Sequence, residues 1–151
     1  MLLVFNGGGG VAEKLQKLKS SSRGRLIILF NLSPRELVSL LDRTHLFVSL
    51  SSEETFSVAL LEASSRMVPT ISTRHYGALL QIVDRQSGVL LSDEALLSLD
   101  KAAAELKSFF TDVMNRKYDV VEMGKEAYRN AKSKFLLSDE DLLNKWSDVV
   151  N

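Results

Sequence analysis

Short apolar runs alternate with amphipathic stretches along the first 91 residues. The apolar runs are strand-sized and lie at residues 2–6, 26–31, 46–50, 69–73 and 88–91. Because each run is apolar throughout rather than at alternate positions, we expect both faces of each strand to be covered. Strand–helix–strand order then predicts parallel pairing with right-handed crossovers. The pattern predicts an α/β fold, a doubly wound parallel sheet of about five strands.

After residue 91 the pattern is helical. One apolar stripe at helical spacing consists of Leu96, Leu99, Ala103, Leu106 and Phe110. A later stripe contains Leu142, Trp146 and Val149. We expect this last stripe to pack against the domain, because an apolar stripe left in water favours aggregation. The chain therefore has a predicted helical C-terminal tail.

The start of the second helix carries a capping signature. Ser33 is a predicted cap, Pro34 a first-turn proline and Glu36 a capping-box acid. Apolar residues at helical spacing, including Leu37 and Leu41, follow directly. We predict that a helix begins at Pro34.

Composition narrows the class of protein. A chain of 151 residues, 45% of them hydrophobic, suits one core. We therefore predict one domain over residues 1–151, with an α/β core at 1–91 and helices at 92–151. Lys plus Arg and Asp plus Glu number 19 each, so no net field attracts nucleic acid or an anionic membrane surface. Cysteine is absent, which excludes disulfides and thiolate metal sites, and the cytoplasm is the expected location.

Two acids, Glu54 and Glu62, flank the point where the third strand gives way to a helix. Eight helical residues advance about 12 Å, so these carboxylates stand too far apart for a tight pair and suit a long ligand held at both ends. The backbone amides of Phe56, Ser57 and Val58 lie in the first helical turn, where they lack intrahelical partners and attract phosphate. Taken alone, such acids are more often a first-turn acid and a solvated helix residue.

Four glycines, Gly7 to Gly10, follow the first strand and open a helix. A glycine turn between a strand and a helix can cradle phosphate. A dinucleotide site would also need an acid at the end of the second strand, where Leu29, Phe30 and Asn31 stand instead, so NAD binding is disfavoured. A tight structural turn explains the glycines as well as ligand contact does, because glycine supplies positive φ in both cases.

Neither histidine lies in a metal-binding pattern. His45 has no second histidine or acid at ligand spacing, so we predict a structural role and no metal site. Arg74 and His75 follow the fourth strand, where they could meet a phosphate, but a solvated loop is the preferred interpretation.

Residues 51–63, with the sequence Ser-Ser-Glu-Glu-Thr-Phe-Ser-Val-Ala-Leu-Leu-Glu-Ala, resemble the donor-site motif of the group 1 retaining glycosyltransferases. That motif reads serine, two residues, Glu-Gly-Phe-Gly, an aliphatic residue, three more residues and Glu-Ala. Residues 68–71 resemble the proline-containing strand that follows it in the family, and residues 77–83 resemble the family's Gly-Gly-x-x-Glu-Ile-Val. The match runs without a gap from residue 33 to residue 91. It implies the GT-B architecture, in which this chain is a Rossmann-like C-terminal domain.

The resemblance implies a role for each residue of this segment. Glu54 would lie beside the donor sugar and stabilise the reacting centre, and Glu62 would accept hydrogen bonds from the ribose hydroxyls. The amides that would face the sugar and the diphosphate belong to Thr55, Phe56, Ser57 and Val58. The family's Gly-x-Gly turn after the first strand would place Gly8 and Gly9 at the border of the donor cleft.

The chain departs from the family pattern at several positions. Thr55 and Ser57 replace the two glycines of the motif, and Leu50 replaces a usual proline. Met67 and Gln81 stand where glycine and glutamate are usual. The added β-carbons predict a narrower or remodelled pocket. Family members also open this domain with a further strand–helix unit that carries an Arg and a Lys for the diphosphate, and we expect that unit to be absent here.

The resemblance therefore predicts the donor-binding domain of an enzyme that transfers a sugar from a nucleotide-sugar with retention of configuration. The nucleotide-sugar is a substrate, and no cofactor is expected. The expected partner is the N-terminal acceptor-binding domain of the same protein, absent from this chain, through which peripheral membrane association is allowed. The chain alone is expected to be inactive. Two alternatives stay open: a non-catalytic glycosyltransferase-like interaction module, and another nucleotide-dependent enzyme on a Rossmann-like fold, such as a dehydrogenase.

Overall fold

The computed structural model describes residues 3–6, 12–23, 25–29, 31–136 and 138. Contacts divide the chain into two compact units, Met1–Leu40 and Leu41–Asn151. Strands and helices alternate in both units as far as Leu90, and every strand pair is parallel. The predicted parallel α/β fold is confirmed. None of the helices in the described residues is long and apolar enough to cross a membrane.

The first unit contains a two-stranded parallel sheet. Its elements are β1 (Leu3–Asn6), α1 (Ala12–Ser21), β2 (Leu26–Leu29) and most of α2 (Pro34–Leu41). Leu26 and Ile28 on one face of β2 are buried, whereas Ile27 on the other face is 38% exposed. The prediction that both faces are covered is therefore wrong for β2, because side chains alternate along a strand and the exposed Ile27 lies on the face opposite Leu26 and Ile28.

The capping signature of α2 is confirmed. The backbone N–H and the hydroxyl of Ser33 both donate to Glu36 Oε2, at 2.8 and 2.6 Å, and the Glu36 N–H donates back to Ser33 Oγ at 3.4 Å. The hydroxyl donor first, and then the amide donor, hold the pKa of Glu36 below its usual value. Local sequence therefore determines where this helix begins.

The second unit is a three-stranded parallel sheet with helices. Its elements are β3 (Phe47–Ser49), α3 (Val58–Ser65), β4 (Thr70–Ser72), α4 (Tyr76–Gln81), β5 (Gly88–Leu90), α5 (Asp93–Leu97), α6 (Leu99–Met114) and α7 (Val120–Lys134). The strand order is β3-β4-β5, so β4 is central. Ile71 lies opposite Val48 on one side and Val89 on the other. All carboxyl ends of these strands consequently lie at one edge of the sheet.

Two apolar clusters cover the two faces of this sheet. Val89 and Leu91 belong to a cluster completed by Ile71, Ala95, Ala102, Phe109 and Met123. Leu90 points to the opposite face of the sheet, where it belongs to a second cluster with Leu60, Ala78 and Ile82. Since side chains alternate along a strand, both faces of β5 are buried, as predicted.

The helical region after β5 differs from the predicted stripe. A new helix begins at Leu99 because the Ser98 hydroxyl caps it by accepting the Lys101 N–H at 3.3 Å. Ala102 and Phe109 form its buried face, while Leu99 is 79% exposed and Ala103 is also exposed. The prediction of one apolar stripe is therefore wrong for Leu99 and Ala103, which are exposed. The expected packing of Leu142, Trp146 and Val149 lies outside the described residues.

Candidate functional site

The segment that connects β3 to α3, residues 50–57, lies against the chain that follows β4. We call it the β3–α3 segment. Thr73 donates its backbone N–H to the Ser49 carbonyl at 3.3 Å and its hydroxyl to the Ser51 carbonyl. The Gly77 N–H of α4 donates to the Glu54 carbonyl at 2.8 Å. These bonds hold the segment at the carboxyl edge of the sheet, where open parallel sheets bind ligands.

Gly77 allows α4 to approach the segment closely. A β-carbon at this position would lie 3.0 Å from the Ser57 nitrogen and 3.1 Å from Phe56 Cα, and both atoms belong to the backbone. Backbone atoms cannot rotate away as the end of a side chain can, so any other residue would require the segment to shift by a few tenths of an ångström. The glycine of the family motif here serves contact between two backbone segments.

The N-terminus of α3 is open. Ser57 is its N-cap, with φ −96° and ψ 105°, and is 2% exposed, yet its side chain makes no capping hydrogen bond. No acidic residue occurs in the first turn of α3. The amides of the first turn belong to Val58, Ala59 and Leu60 and keep their hydrogen-bonding capacity. Such a terminus can bind an anionic group. The prediction that the Phe56 amide lies in this turn is wrong, because Phe56 precedes the N-cap.

The carboxyl group of Glu54 is only partly satisfied. Glu54 is half-buried, and its Oε2 atom is buried with no hydrogen-bond partner in the described part of the chain. A buried carboxylate oxygen without a partner is unfavourable, so this atom can accept a hydrogen bond from a ligand. Glu54 precedes the N-cap by three residues and is not on α3, so the helical spacing predicted from Glu54 to Glu62 does not apply.

The other predicted site residues lie near this position with different exposure. Glu62 is exposed on α3, four residues after its first residue. Thr55 and Phe56 are exposed, Val58 is 62% exposed, and the Phe56 ring meets that of Phe135 edge to face at a centroid distance of 5.5 Å. The remaining predicted residues, Gly8 and Gly9, lie outside the described residues.

His75 caps α4. The ring is 3% exposed, its Nδ1 accepts the Ala78 N–H at 3.1 Å, and its Nε2 lies 3.2 Å from Ser72 Oγ, which donates to the Thr73 carbonyl. Because Nδ1 accepts, the ring proton is on Nε2 and is donated to Ser72. The predicted solvated loop is therefore wrong for His75. The sequence carried a signal for this role, since a helical pattern begins directly after it.

His45, by contrast, is exposed at a bend before β3. Within the described ranges, no group of three or more His, Cys, Asp or Glu side chains is placed to hold a metal ion.

A cleft of about 530 Å³ lies elsewhere, between β5 and α6. Residues that line it include Arg74, Ser92, Lys101, Glu105, Phe109 and Tyr118. The backbone N–H and hydroxyl of Ser92 donate to the Glu105 carboxylate at 2.9 and 2.5 Å, and Arg74 Nε donates to the Leu91 carbonyl at 3.1 Å. Arg74, considered above as a possible phosphate contact, lines this cleft, whereas Glu54, Glu62 and residues 55–58 do not.

The pKa of Glu105 reflects these contacts. Partial burial by itself would raise it, but the hydroxyl and amide of Ser92, together with the charges of Lys101 and Arg85, outweigh burial and lower it. The carboxylate is therefore stabilised in its charged form as a structural tie between α6 and the end of β5.

Met67 stands at the C-terminal end of α3, away from the open N-terminus. Its φ is +58°, and the Val68 N–H donates to the Ala63 carbonyl while the Met67 N–H donates to the Ser64 carbonyl. These two bonds form a Schellman motif, whose left-handed position is usually glycine. The departure from glycine at this position therefore concerns helix termination.

Comparison with known proteins identifies the family. Residues 1–134 match the model of the family described as glycosyl transferases group 1. The chain belongs to this family. A comparison with curated proteins found no relative.

Solved glycosyltransferases share the fold. The pneumococcal O-GlcNAc transferase GtfA, solved with UDP and GlcNAc, superposes on 99% of this chain with a TM-score of 0.74 at 19% identity, and 29% of GtfA is covered. A mutant of S. aureus TarM, solved with Fondaparinux, alpha-GlcNAc-glycerol and UDP, superposes on 100% of the chain with a TM-score of 0.66 at 23% identity, again covering 29% of that protein. Anabaena HepE, solved with UDP-glucose, superposes on 97% with a TM-score of 0.64 at 16% identity.

The chain thus spans well under half of these relatives, and it covers 40% of HepE. Its fold is that of the C-terminal domain of the GT-B glycosyltransferases. The predicted family and fold are confirmed.

Proposed function

We propose that this domain binds a nucleotide-sugar at the β3–α3 segment and holds it for transfer of the sugar to an acceptor with retention of configuration. The observation that carries the proposal is the open N-terminus of α3 beside Glu54. Uncapped amide donors suit the diphosphate, and an unpartnered carboxylate oxygen suits a hydroxyl of the sugar. Both chemistries occur together in a nucleoside-diphosphate sugar.

The proposed roles are those that the family resemblance implies. The amides of residues 55–58 face the diphosphate and the sugar, Glu54 stabilises the reacting carbon, and Glu62 accepts hydrogen bonds from the ribose hydroxyls. In the transfer, the bond from the anomeric carbon to the diphosphate breaks and a bond to an acceptor oxygen forms. The nucleoside diphosphate leaves, and the acceptor hydroxyl loses its proton.

The acceptor is bound by an N-terminal domain of the same protein, which also provides any peripheral contact with a membrane. The chain alone therefore binds donor without turnover, and the cytoplasm is its proposed location. UDP is the first nucleotide to test, because the structures of GtfA, the TarM mutant and HepE contain UDP or UDP-glucose.

The test is a thermal-unfolding screen of the chain with UDP, GDP, ADP and NAD. A nucleotide at a hundred times its Kd adds about 2.7 kcal/mol of stability, which raises Tm by roughly 5 to 10 °C. We expect a shift with UDP, or with one of the other nucleoside diphosphates, and none with NAD. A shift with NAD alone would instead support a dehydrogenase.

A second candidate function is a non-catalytic module that contacts another protein domain. The observation that favours it is the exposure of apolar side chains on α4, where Tyr76 is 64%, Leu79 48% and Leu80 40% exposed. Thr55 and Ser57 carry β-carbons at positions where the family motif has glycine, and this departure also favours a non-catalytic module. Absence of any Tm shift in the screen would favour this candidate over nucleotide binding.

A further inference from the structure

Gln81, the last residue of α4, also contacts the β3–α3 segment. Its side chain is 5% exposed, and Nε2 donates to the Ser57 carbonyl at 3.1 Å. That carbonyl also accepts the first intrahelical bond of α3, from the Leu61 N–H at 3.2 Å. Gln81 therefore binds the N-cap residue of α3, and the position of that residue determines the direction of the open helix terminus.

The other end of the same amide has no partner. Gln81 Oε1 is buried and makes no hydrogen bond to the residues that the structure describes. Leaving one end of a buried amide unpaired is unfavourable, so an apolar side chain of similar size would satisfy packing at least as well. Stability alone is consequently a poor account of a glutamine here.

Gln81 is itself fixed by α7. Asn130 Nδ2 donates to the Gln81 backbone carbonyl at 2.7 Å, across 49 positions of sequence. The α7 helix also packs closely on the end of α3, since a β-carbon at Gly124 would overlap the Met67 carbonyl. Asn130 of α7 therefore binds the backbone of Gln81, and Gln81 in turn binds the β3–α3 segment.

We propose that Gln81 is a positioning residue, which orients the open N-terminus of α3 through the Ser57 carbonyl, and that Asn130 supports it from α7. The inference rests on the proposed function, since the terminus matters only if a ligand binds there. It is specific to this chain, because a carboxylate, the usual group at this position in the family, has no hydrogen to donate to that carbonyl unless it is protonated.

The primary experiment compares Gln81→Met with wild type and with Gln86→Met as a matched control. Gln86 is exposed and outside these contacts, so the control makes the same chemical change elsewhere. Two quantities are measured: hydrogen exchange without nucleotide of the Leu61 and Gly77 amides, which donate to the Ser57 and Glu54 carbonyls, and the Kd of UDP by calorimetry. Loss of one hydrogen bond should speed exchange and weaken UDP binding about fivefold to tenfold in Gln81→Met, with no change in Gln86→Met.

The two readouts separate the inference from the proposed function. Exchange requires no ligand, so faster exchange in Gln81→Met together with no UDP binding by wild type would refute the function while supporting the positioning of the segment. Unchanged exchange in Gln81→Met would overturn the inference whatever UDP does. Asn130→Leu should act in the same direction and more weakly, because it acts through α4.

Gln81→Glu supplies a readout that a purely structural role would not move. At about pH 8 the carboxylate cannot donate to the Ser57 carbonyl, so UDP affinity should fall below that of wild type. At about pH 5 partial protonation restores a donor, and the affinity relative to wild type at the same pH should recover several-fold. If Gln81→Met does not fold, this comparison decides the matter: affinity equal to wild type at both pH values would overturn the inference.

Discussion

A serine occupies the N-cap position of both α5 and α3, and the surroundings of the two serines differ. Ser92, after β5, accepts the Ala95 N–H at 3.3 Å and is held by the carboxylate of Glu105. Ser57, before α3, makes no capping bond with its side chain. The first turn after Ser92 contains two acids, and that after Ser57 contains none. The same residue type therefore completes one helix terminus and leaves the other open.

The comparison teaches how to separate structural from functional polar groups. At the Ser92 junction the Ser92 N–H, the Ser92 hydroxyl and the Ala95 N–H have partners in the protein, so the junction contributes stability. At the Ser57 junction the amides and Glu54 Oε2 retain bonding capacity, which a ligand can use. Thr70 Oγ1 is also buried without a partner among the described residues, and it lies on β4 away from both junctions. A buried polar atom without a partner therefore indicates a ligand site only where it lies at the carboxyl edge of the sheet.

The largest expected effect concerns ligand affinity at the open junction. Glu62→Gln should weaken binding of UDP about ten- to a hundredfold, because a carboxylate that accepts hydroxyl hydrogen bonds contributes roughly 1.5 to 3 kcal/mol. Glu54→Gln is the matched control: the proposed role of Glu54 is toward the sugar, which free UDP lacks, so UDP affinity should be nearly unchanged in this variant. Calorimetry on both variants gives the answer, and equal losses in the two would contradict the assigned roles.

The next effect concerns stability at the satisfied junction. Glu105→Gln should lower the free energy of unfolding by about 1 to 2 kcal/mol at pH 7, because Ser92 loses a charged acceptor. The pKa of Glu105 is lowered in the folded state, so this contribution is present above the unfolded value of about 4.3. It should vanish as pH falls through the folded value.

Denaturant titrations of wild type and Glu105→Gln at several pH values measure this difference. UDP affinity should not change, since Glu105 lies outside the β3–α3 segment. A stability difference that persists unchanged at about pH 3 would show that the charge is not its source.

A smaller effect tests the two caps directly. Ser92→Ala should cost at least about 1 kcal/mol, because it removes both the cap of α5 and the hydroxyl that donates to Glu105. Ser57→Ala should cost less than about 0.5 kcal/mol, because no capping bond is lost. Chemical unfolding of the paired variants measures both. Equal costs would mean that the two junctions do not differ as described.

The smallest effect concerns the other end of α3. Met67→Gly should stabilise the chain by about 0.5 to 1 kcal/mol, because Met67 adopts a left-handed φ and is 52% exposed, so little packing is lost. Met114→Gly, at an 82% exposed helical position, is the control and should destabilise by about 1 kcal/mol. A loss of UDP affinity in Met67→Gly would mean that this position does affect the site after all.

Local signals in the sequence predicted much of the fold. The cap at Ser33, the parallel pairing and the strands near Val48, Ile71 and Val89 follow from side-chain type and spacing over a few residues. The break at Ser98 could have been anticipated from its capping chemistry, but the apolar spacing across it concealed the start of a new helix. The motif around Glu54 indicated the candidate site because its residues are contiguous.

The sequence by itself determined the α/β class, the family and the candidate segment, since each depends on neighbours along the chain. Only the tertiary structure decided that His75 is a buried cap, that Met67 terminates a helix and that Gln81 and Asn130 support the segment. Those roles depend on hydrogen bonds and backbone angles. The bonds from Gln81 to Ser57 and from Asn130 to Gln81 join residues 24 and 49 positions apart, and no local pattern encodes which distant carbonyl a buried amide will meet.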